Sequence, residues 1–357
     1  MSASEQNKTS VRFQFLGIRS EATAAHPSRS FNPSASDLAA SEPEARQPAA
    51  MTALARRLLV GRDAPFDPQR ALALILSAKA LGDAEAPLLE ATLAAAGAWR
   101  PQSWTDALDL LAIAADRGAV LAQGQLRLLA GCSPEGRTWR DLCDRVDVAA
   151  WLQAPPRKPV CEAPRIRTAE GFVSPAVCDW LIARARGNLR RAKMVSGYGE
   201  TPRFMGGRTN SDFMIDIVAA DVVISLLRAK ISALINQPAA CFEPPQILHY
   251  AVGEELKPHF DFIQRSPATA ASNYQGDRVA TFLLYLNDDY DGGETDFPRA
   301  PFRHKGAKGD AIVFANVDPS GRPDPMTLHA GLAPTRGEKW LFSQWVHDLP
   351  YTYVGPA

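Results

Sequence analysis

The sequence predicts an α+β protein with an N-terminal α-helical repeat region followed by an antiparallel β-sandwich or barrel with flanking helices. From about residue 51 the chain is rich in Ala and Leu, with apolar residues at helical spacings of three and four. A proline-rich stretch at 154–164 follows. After it, short runs of β-branched and aromatic residues alternate with Gly, Asp and Pro, as in antiparallel folds.

Four regions follow from this pattern. Residues 1–50, rich in Ser, Ala, Pro and Glu without sustained periodicity, predict a disordered tail. Residues 51–153 form the helical repeat region, and 154–164, with four prolines in eleven residues, an extended linker. Residues 165–357 form the second domain, so that the 357-residue chain holds two folded domains.

A weak internal repeat with an offset of 36 lies in the helical region. Its first copy recurs at Ala107, Leu108, Leu110, Ala114, Gly118 and Ala122, which correspond to Ala71, Leu72, Leu74, Ala78, Gly82 and Ala86. The pattern resembles tetratricopeptide repeats of the Sel-like type over roughly residues 55–131. Such repeats bind peptides in some proteins and only pack in others, and the sequence leaves both roles open.

The second domain begins with helical segments and continues with strands. Ser174–Leu189 is predicted as a helix with Ser174 as N-cap, and Asp221–Ile235 as another. The predicted strands are Gln246–Val252, Val279–Leu286, Asp310–Val317 and Lys339–Val346.

Charge and cysteine content exclude several functional classes. The 39 basic residues balance the 39 acidic ones, so the chain has no net positive charge that would favour binding to nucleic acid or to an anionic membrane. No apolar run approaches the ~20 residues of a membrane span. The five cysteines form no CxxC pair, and the start of the chain lacks the pattern of a secretory signal. We therefore expect a cytoplasmic protein.

The tripeptide His259-Phe-Asp261 carries the first chemical signal. Alternation along a strand places His259 and Asp261 on one face, where they could hold adjacent positions on a metal. His329, in the segment Thr-Leu-His-Ala-Gly-Leu, is the candidate third ligand. Two histidines and one carboxylate form the iron site of non-haem oxygenases, although an HxD tripeptide also arises from structural histidines.

Lys339 carries a second signal. It heads an otherwise apolar and aromatic strand, and a lysine that enters a barrel interior needs an anion because a buried unpaired ammonium is costly. A dicarboxylic cosubstrate would supply that anion. Arg336 is the alternative partner, but it lies in a predicted turn before the strand, and we favour Lys339.

Residues 166–350 resemble the prolyl 4-hydroxylase branch of the 2-oxoglutarate- and Fe(II)-dependent dioxygenases. The resemblance rests on ordered motifs: Tyr250-x-x-Gly253, His259-Phe-Asp261, the run that begins at Arg278, Gly-Gly-Glu-Thr295-Asp-Phe-Pro, Lys-Gly-Asp-Ala-Ile-Val-Phe314, His329-Ala-Gly, and Lys339-Trp-x-x-x-x-Trp345-x-His347.

This resemblance implies a double-stranded β-helix, or jelly-roll, with Fe(II) held by His259, Asp261 and His329. It further implies that Lys339 binds the distal carboxylate of 2-oxoglutarate, and that O₂ is the second cosubstrate, with ascorbate as a candidate reductant. The family positions that assist Lys339 match Tyr250 and Thr295, and those that line the substrate side match Arg278, Trp345 and His347.

Plainer roles remain open for several of these residues. Tyr250, Thr295 and Trp345 could simply pack in strands, and Arg278 could form a surface ion pair. Arg208 matches a recurrent family segment, for which a structural ion pair is the favoured interpretation.

The resemblance implies hydroxylation of a C–H bond, with a peptidyl proline as the best substrate and a peptide or protein as the partner. One position differs from the family pattern: three residues before His259, family members usually have a tyrosine that contacts the substrate peptide, and this chain has Leu256. The alternatives are an enzyme that hydroxylates a free amino acid or small molecule, and a repeat-based interaction protein with a vestigial oxygenase domain.

Because all proposed ligands lie between residues 250 and 339, we expect a chain that begins near Pro164 to retain iron and 2-oxoglutarate binding.

Overall fold

The computed structural model describes residues 47–193, 207–262 and 276–351. These residues form a mixed helix and sheet structure that divides into two compact units. The sheet unit holds the described residues of 154–214 and 231–351, and the helical unit holds 47–153 together with 215–230. The predicted tail lies outside the described residues up to residue 46, and the first helix begins at Pro48.

Helices occupy most of residues 48–152 and two segments further on. Their bounds are α1 Pro48–Val60, α2 Pro68–Ala80, α3 Glu85–Ala96, α4 Trp104–Asp116, α5 Val120–Ala130, α6 Trp139–Asp144, α7 Val148–Leu152, α8 Pro175–Arg186 and α9 Val222–Ile235. The last two agree with the helices predicted from the sequence, although the Ser174 side chain makes no capping hydrogen bond at α8. None of the described helices is long and apolar enough to cross a membrane.

The internal sequence repeat corresponds to a repeated backbone geometry. A glycine with positive φ lies two residues after the last residue of both α2 and α4, Gly82 with φ 92° and Gly118 with φ 91°. The next residue then donates its amide to the helix, Asp83 to the carbonyl of Ala78 and Ala119 to that of Ala114. Small residues at the repeat positions are fully buried, so that paired helices approach closely: Ala71, Ala78, Ala86, Ala107, Ala114 and Ala122.

Residues 215–230 are integrated into the helical unit, contrary to the division predicted from the sequence. Ile217 and Val218 pack against its apolar core. Asp216 forms an ion pair with Arg62 at 2.9 Å, and the Gln125 side chain accepts a hydrogen bond from the amide of Val222 at the start of α9 at 2.9 Å. The sequence could not predict this assignment, because it depends on contacts between residues 97 and 154 positions apart.

Strands begin at residue 158 and continue to residue 347. Their bounds are β1 Lys158–Glu162, β2 Arg165–Ala169, β3 Arg190–Arg191, β4 Ser211–Met214, β5 Gln246–Tyr250, β6 Leu256–His259, β7 Arg278–Tyr285, β8 Asp291–Gly292, β9 Thr295–Phe297, β10 Phe302–His304, β11 Ala311–Ala315, β12 His329–Gly331, β13 Pro334–Arg336 and β14 Lys339–His347. The four strands predicted from the sequence correspond to β5, β7, β11 and β14.

The described strands form three antiparallel sheets. Eight strands follow the order β1-β2-β11-β7-β14-β5-β4-β3, four follow β10-β9-β12-β6, and β13 pairs with β8. Part of the predicted linker is therefore a strand, because β1 pairs with β2. Proline is tolerated in β1 because this strand lies at the edge of its sheet, and the register shifts between Pro159 and Cys161.

The core of the sheet unit contains side chains from both larger sheets. Phe297 of β9 packs edge-on against Phe314 of β11, with ring centroids 5.2 Å apart. The same cluster includes Leu248, Leu283 and Leu341 of the eight-stranded sheet. The two sheets therefore share an apolar interior, and the candidate site is built on strands that border it.

Candidate active site

His259 and His329 face each other across two paired strands. His259 ends β6 and His329 begins β12, and the antiparallel register places the two residues directly opposite each other. Opposed residues bring their side chains within a few ångströms, and here the ring centroids are 4.3 Å apart. A long-range strand pairing thus joins two histidines that are seventy residues apart in the sequence.

Asp261 completes a group of three potential metal ligands. Its carboxylate lies 3.4 Å from Nε2 of His259 and 3.5 Å from Nε2 of His329. One ligand atom from each residue lies within 4.8 Å of the other two. Among the residues that the structure describes, no other group of His, Cys, Asp and Glu meets this condition. The three sequence-predicted iron ligands are therefore brought together.

Backbone carbonyls orient both imidazoles. The carbonyl of Lys257 accepts from Nδ1 of His259 at 2.9 Å, and that of Thr327 accepts from Nδ1 of His329 at 3.0 Å. With Nδ1 protonated, each Nε2 has a free lone pair directed towards Asp261. Burial and the neighbouring His259 lower the pKa of His329 to about 4, so its ring is neutral at pH 7. This is the protonation state that a metal ligand requires.

Two residues that sequence reasoning did not assign a role hold the carboxylate. Thr281 of β7 donates to Oδ2 of Asp261 at 2.7 Å, and Asn316 donates to the Thr281 hydroxyl at 3.0 Å. Although burial favours the neutral acid, the positive charge of His329 and His259 in their protonated forms, with a hydrogen bond from His259, holds the pKa of Asp261 well below its usual range. The carboxylate is therefore ionised and fixed in orientation. No local sequence pattern indicates that Thr281 and Asn316 support it.

Lys339 is fully buried, and its ammonium has no hydrogen-bond partner among the described residues. Burial lowers its pKa to about 7, since the charged form is poorly solvated there. Arg336 is different, because its guanidinium is mostly exposed and pairs with Asp291 at 2.6 Å. The geometry therefore leaves Lys339 in need of an anion and Arg336 already paired, which agrees with the preference drawn from the sequence.

Tyr250 and Thr295 both lie beside β12, the short strand that begins at His329. Tyr250 is opposite Lys339 in the pairing of β5 with β14, and the ammonium is 5.1 Å from the centre of its ring. Thr295 pairs with Gly331 of β12, and a Cβ at Gly331 would lie 3.2 Å from the Tyr250 hydroxyl. The Thr295 hydroxyl is 2.9 Å from that of Tyr285. Both predicted residues are thus close to the strand that carries His329.

Arg278, Trp345 and His347 gather around a residue that sequence reasoning missed. The Glu243 carboxylate accepts two hydrogen bonds from Arg278, at 2.5 and 2.9 Å, and lies 2.6 Å from Nε2 of His347. The Arg278 guanidinium lies 3.8 Å from the centre of the Trp345 ring. Burial opposes the charge on Glu243, but Arg278 and His347 lower its pKa to about 2. The sequence did contain a signal for such an acid: Arg278 begins a largely buried strand, and a buried cation requires an anion.

Leu256 and Arg208 lie near each other at one edge of this region. Leu256 is half-buried in β6 opposite Gly331, and it forms an isolated bridge with Arg208. Arg208 is buried, donates to Asn210 at 3.1 Å and lies 3.7 Å from the carboxylate of Asp212. The structural ion pair expected for Arg208 is therefore present.

Comparison with known proteins places these residues in a family. Residues 245–347 match the model of the 2OG-Fe(II) oxygenase superfamily. The chain is 32% identical over 211 residues to probable prolyl 4-hydroxylase 4 of Arabidopsis thaliana, a match that covers 53% of this chain and 70% of that protein. Probable prolyl 4-hydroxylase 6 of the same plant is 33% identical over 206 residues, which cover 52% of this chain and 69% of the relative.

A solved structure is also similar. The viral collagen prolyl hydroxylase of Paramecium Bursaria Chlorella virus-1, in its 2OG complex, is 28% identical, with 52% of this chain and 98% of that chain covered and a TM-score of 0.41. The sequence relatives and the His-Asp-His group agree on one chemistry. This chain belongs to the 2OG-Fe(II) oxygenase superfamily as a prolyl 4-hydroxylase-like member, and it is a dioxygenase that depends on Fe(II), 2-oxoglutarate and O₂.

Proposed function

We propose that this dioxygenase hydroxylates a prolyl residue of a peptide or protein and releases succinate and CO₂. The observation that carries the proposal is the convergence of His259, Asp261 and His329, together with a buried Lys339 whose ammonium has no hydrogen-bond partner among the described residues. The relatives at 31–33% identity that match over two thirds of their own length are named prolyl 4-hydroxylases or probable prolyl 4-hydroxylases.

His259, Asp261 and His329 would hold the iron through two imidazole nitrogens and one carboxylate oxygen. This donor set leaves coordination positions open for cosubstrates. Iron and 2-oxoglutarate together supply the activation of O₂, which no amino-acid side chain provides. Thr281 and Asn316 keep the Asp261 carboxylate in one orientation, and such supporting hydrogen bonds also strengthen metal binding.

Lys339 would bind the distal carboxylate of 2-oxoglutarate, with the hydroxyls of Tyr250 and Thr295 nearby. An anion at Lys339 would restore the ordinary pKa of the ammonium, which burial lowers to about 7. The ion pair would also position the other end of the cosubstrate, because a charge-paired anchor restricts its orientation.

The substrate side would be formed by Arg278, Trp345 and His347, which are held together by Glu243. In this arrangement the ion pair with Glu243 fixes the Arg278 guanidinium on the Trp345 ring, and the half-buried indole would be the aromatic face offered to the substrate. A rigid aromatic surface suits a proline-containing peptide, since the extended conformation of such peptides docks on aromatic grooves.

The fold, the helical region and the reductant would fit the same activity. The two larger sheets would be the walls of a double-stranded β-helix, and α2–α5 would be Sel-like repeats that hold a protein substrate away from the reacting carbon. Ascorbate would act as the reductant, and the protein would act in the cytoplasm.

One observation favours a second candidate. Leu256 stands where family members usually have a tyrosine that contacts the substrate, so this contact with a peptide would be absent. Hydroxylation of a free amino acid or another small molecule is therefore the alternative substrate class. A vestigial oxygenase domain fits less well, because the His-Asp-His group and Lys339 are all present.

The test is succinate formation by the full chain supplied with Fe(II), 2-oxoglutarate and O₂. We expect a proline-rich peptide to stimulate succinate release and to gain one oxygen by mass spectrometry, whereas the same peptide with alanine in place of proline does neither. Stimulation by free amino acids alone would favour the second candidate. Absence of any succinate from iron-loaded protein, at the level of the His329→Ala variant, would remove both.

A further inference from the structure

The hydroxyl of Tyr290 is a second buried donor near Lys339. Tyr290 lies between Asn287 and β8, in a segment to which sequence analysis assigned no role, and it is only 1% exposed. Its hydroxyl oxygen is buried and has no hydrogen-bond partner among the described residues. Burial raises the pKa of this hydroxyl, so it remains protonated and can donate. A buried donor of this kind is unfavourable unless a partner binds to it.

Gly293 brings the tyrosine and the lysine together. A Cβ at Gly293 would lie 2.9 Å from Cε2 of Tyr290 and 3.4 Å from Cδ of Lys339. Cε2 is bonded to the ring carbon that carries the hydroxyl, and Cδ lies one carbon before the carbon that carries the ammonium. The edge of the Tyr290 ring and the aliphatic stem of Lys339 therefore both pack against one glycine, which adopts a φ of 71° and leaves the space that a side chain would occupy.

Other groups hold the Tyr290 ring without using its hydroxyl. The Lys305 ammonium lies 4.2 Å from the ring centre and donates to the Tyr290 carbonyl. A Cβ at Gly337 would lie 3.1 Å from both Cα and Cβ of Tyr290, so the backbone of the next loop packs closely against it. The neighbouring Tyr285 differs, because its hydroxyl already interacts with Thr295. The position of the Tyr290 ring is thus fixed while its hydroxyl stays available.

We propose that the Tyr290 hydroxyl donates a hydrogen bond to the distal carboxylate of 2-oxoglutarate, beside the Lys339 ammonium. This inference rests on the proposed role of Lys339. A carboxylate has two oxygens that accept several hydrogen bonds, so one ammonium does not satisfy it. A neutral hydroxyl adds directional selection for a carboxylate without adding charge to a buried pocket. Tyr290 would therefore be a cosubstrate-binding residue that helps select a dicarboxylate over a monocarboxylate.

The test compares wild-type protein with Tyr290→Phe in the full chain, with Mn(II) in place of iron so that no turnover occurs. Calorimetry measures the Kd for 2-oxoglutarate and for 2-oxobutyrate, a 2-oxo acid without the distal carboxylate. We expect the variant to bind 2-oxoglutarate about 10- to 150-fold more weakly, as for one lost hydrogen bond to a charged group, and to bind 2-oxobutyrate with unchanged affinity. Without ligand its melting temperature should equal or exceed that of the wild type, because the hydroxyl has no hydrogen-bond partner in the part of the chain that the structure describes.

Three results would overturn the inference. These are an unchanged Kd for 2-oxoglutarate, an equal loss for both ligands, or a lower melting temperature of the ligand-free variant. Lys339→Ala, measured in parallel, separates this inference from the proposed function. If Lys339→Ala weakens 2-oxoglutarate binding and Tyr290→Phe does not, only the role of Tyr290 fails. If Lys339→Ala has no effect, the anion site proposed for Lys339 fails.

Discussion

The imidazoles of His259 and His329 lie directly opposite each other on two antiparallel strands, with their ring centroids 4.3 Å apart. Strand pairing therefore sets the separation of two of the three proposed iron ligands. The third, Asp261, follows His259 by two residues and is fixed by Thr281 from a different sheet. The site thus combines one strand pair with one contact from a second sheet.

His329→Ala should abolish Fe(II) binding and succinate formation while the fold persists. Removal of one of three protein ligands leaves only a bidentate site, and the small side chain is tolerated where the ring contacts Phe314 and Phe297 at some cost in stability. Iron content after anaerobic loading, together with circular dichroism, checks both parts. His249→Ala is the matched control, since His249 pairs with Glu338 away from the triad. Wild-type iron content in His329→Ala would remove the ligand assignment.

Lys339→Ala should raise the Kd for 2-oxoglutarate by one to three orders of magnitude, because loss of a buried charge partner is worth about 2–4 kcal/mol. Lys339→Arg should rescue only in part, since the longer guanidinium presents its donors in a different geometry. Arg336→Ala is the control, as Arg336 pairs with Asp291 at the surface. A larger effect from Arg336→Ala than from Lys339→Ala would reverse the assignment of the carboxylate partner.

The affinity for 2-oxoglutarate should depend on pH through Lys339. Burial lowers the pKa of its ammonium to about 7, and a carboxylate binds the protonated form and raises that pKa again. The protein therefore takes up a proton when the ligand binds above pH 7. The Kd should be constant below about pH 7 and rise up to about tenfold per pH unit above it.

Calorimetry between pH 6 and 9 in buffers of different ionisation enthalpy measures both the affinity and the proton uptake. Lys339→Arg should bind with a nearly flat profile, because a guanidinium stays protonated throughout this range. A wild-type profile as flat as that of the arginine variant would show that the lysine is charged in the free protein across the range.

Glu243→Gln should raise the KM for a peptide substrate about 10- to 100-fold and leave the Kd for 2-oxoglutarate unchanged. The amide keeps the shape of the side chain but removes the charge that fixes Arg278 and His347. Melting temperature should also fall, because Arg278 would be left without its anion. Equal KM values for the variant and the wild type would show that this cluster does not act on the substrate side.

A chain that begins near Pro164 should aggregate rather than retain iron binding, contrary to the expectation from the sequence. Residues 215–230 belong to the helical unit, where Ile217 and Val218 join its core and Asp216 pairs with Arg62. Removal of α1–α7 would expose these groups. Size-exclusion chromatography and iron loading of the shortened chain check this. Arg62→Ala in the full chain is the control and should stay folded, because an exposed ion pair contributes little.

The sequence alone determined those features that depend on local pattern. Apolar spacing predicted the helices, and β-branched runs predicted the four principal strands. The spacing in His259-Phe-Asp261 placed two ligands together, and a lysine that heads an apolar strand already implied a missing anion. The repeat of Gly82 at Gly118 marked two helix ends of equal geometry. Each of these signals is carried by residues close in the sequence or by a motif of the family.

Only the tertiary structure decided which distant residues complete the site. Thr281 and Asn316 support Asp261, Glu243 joins Arg278 to His347, and Tyr290 approaches Lys339 around Gly293. The same holds for residues 215–230, which fold with the helical unit. These relationships depend on sheet pairing and side-chain direction between segments up to 154 residues apart. Periodicity reports which face of an element is buried, but it does not specify which partner that face meets.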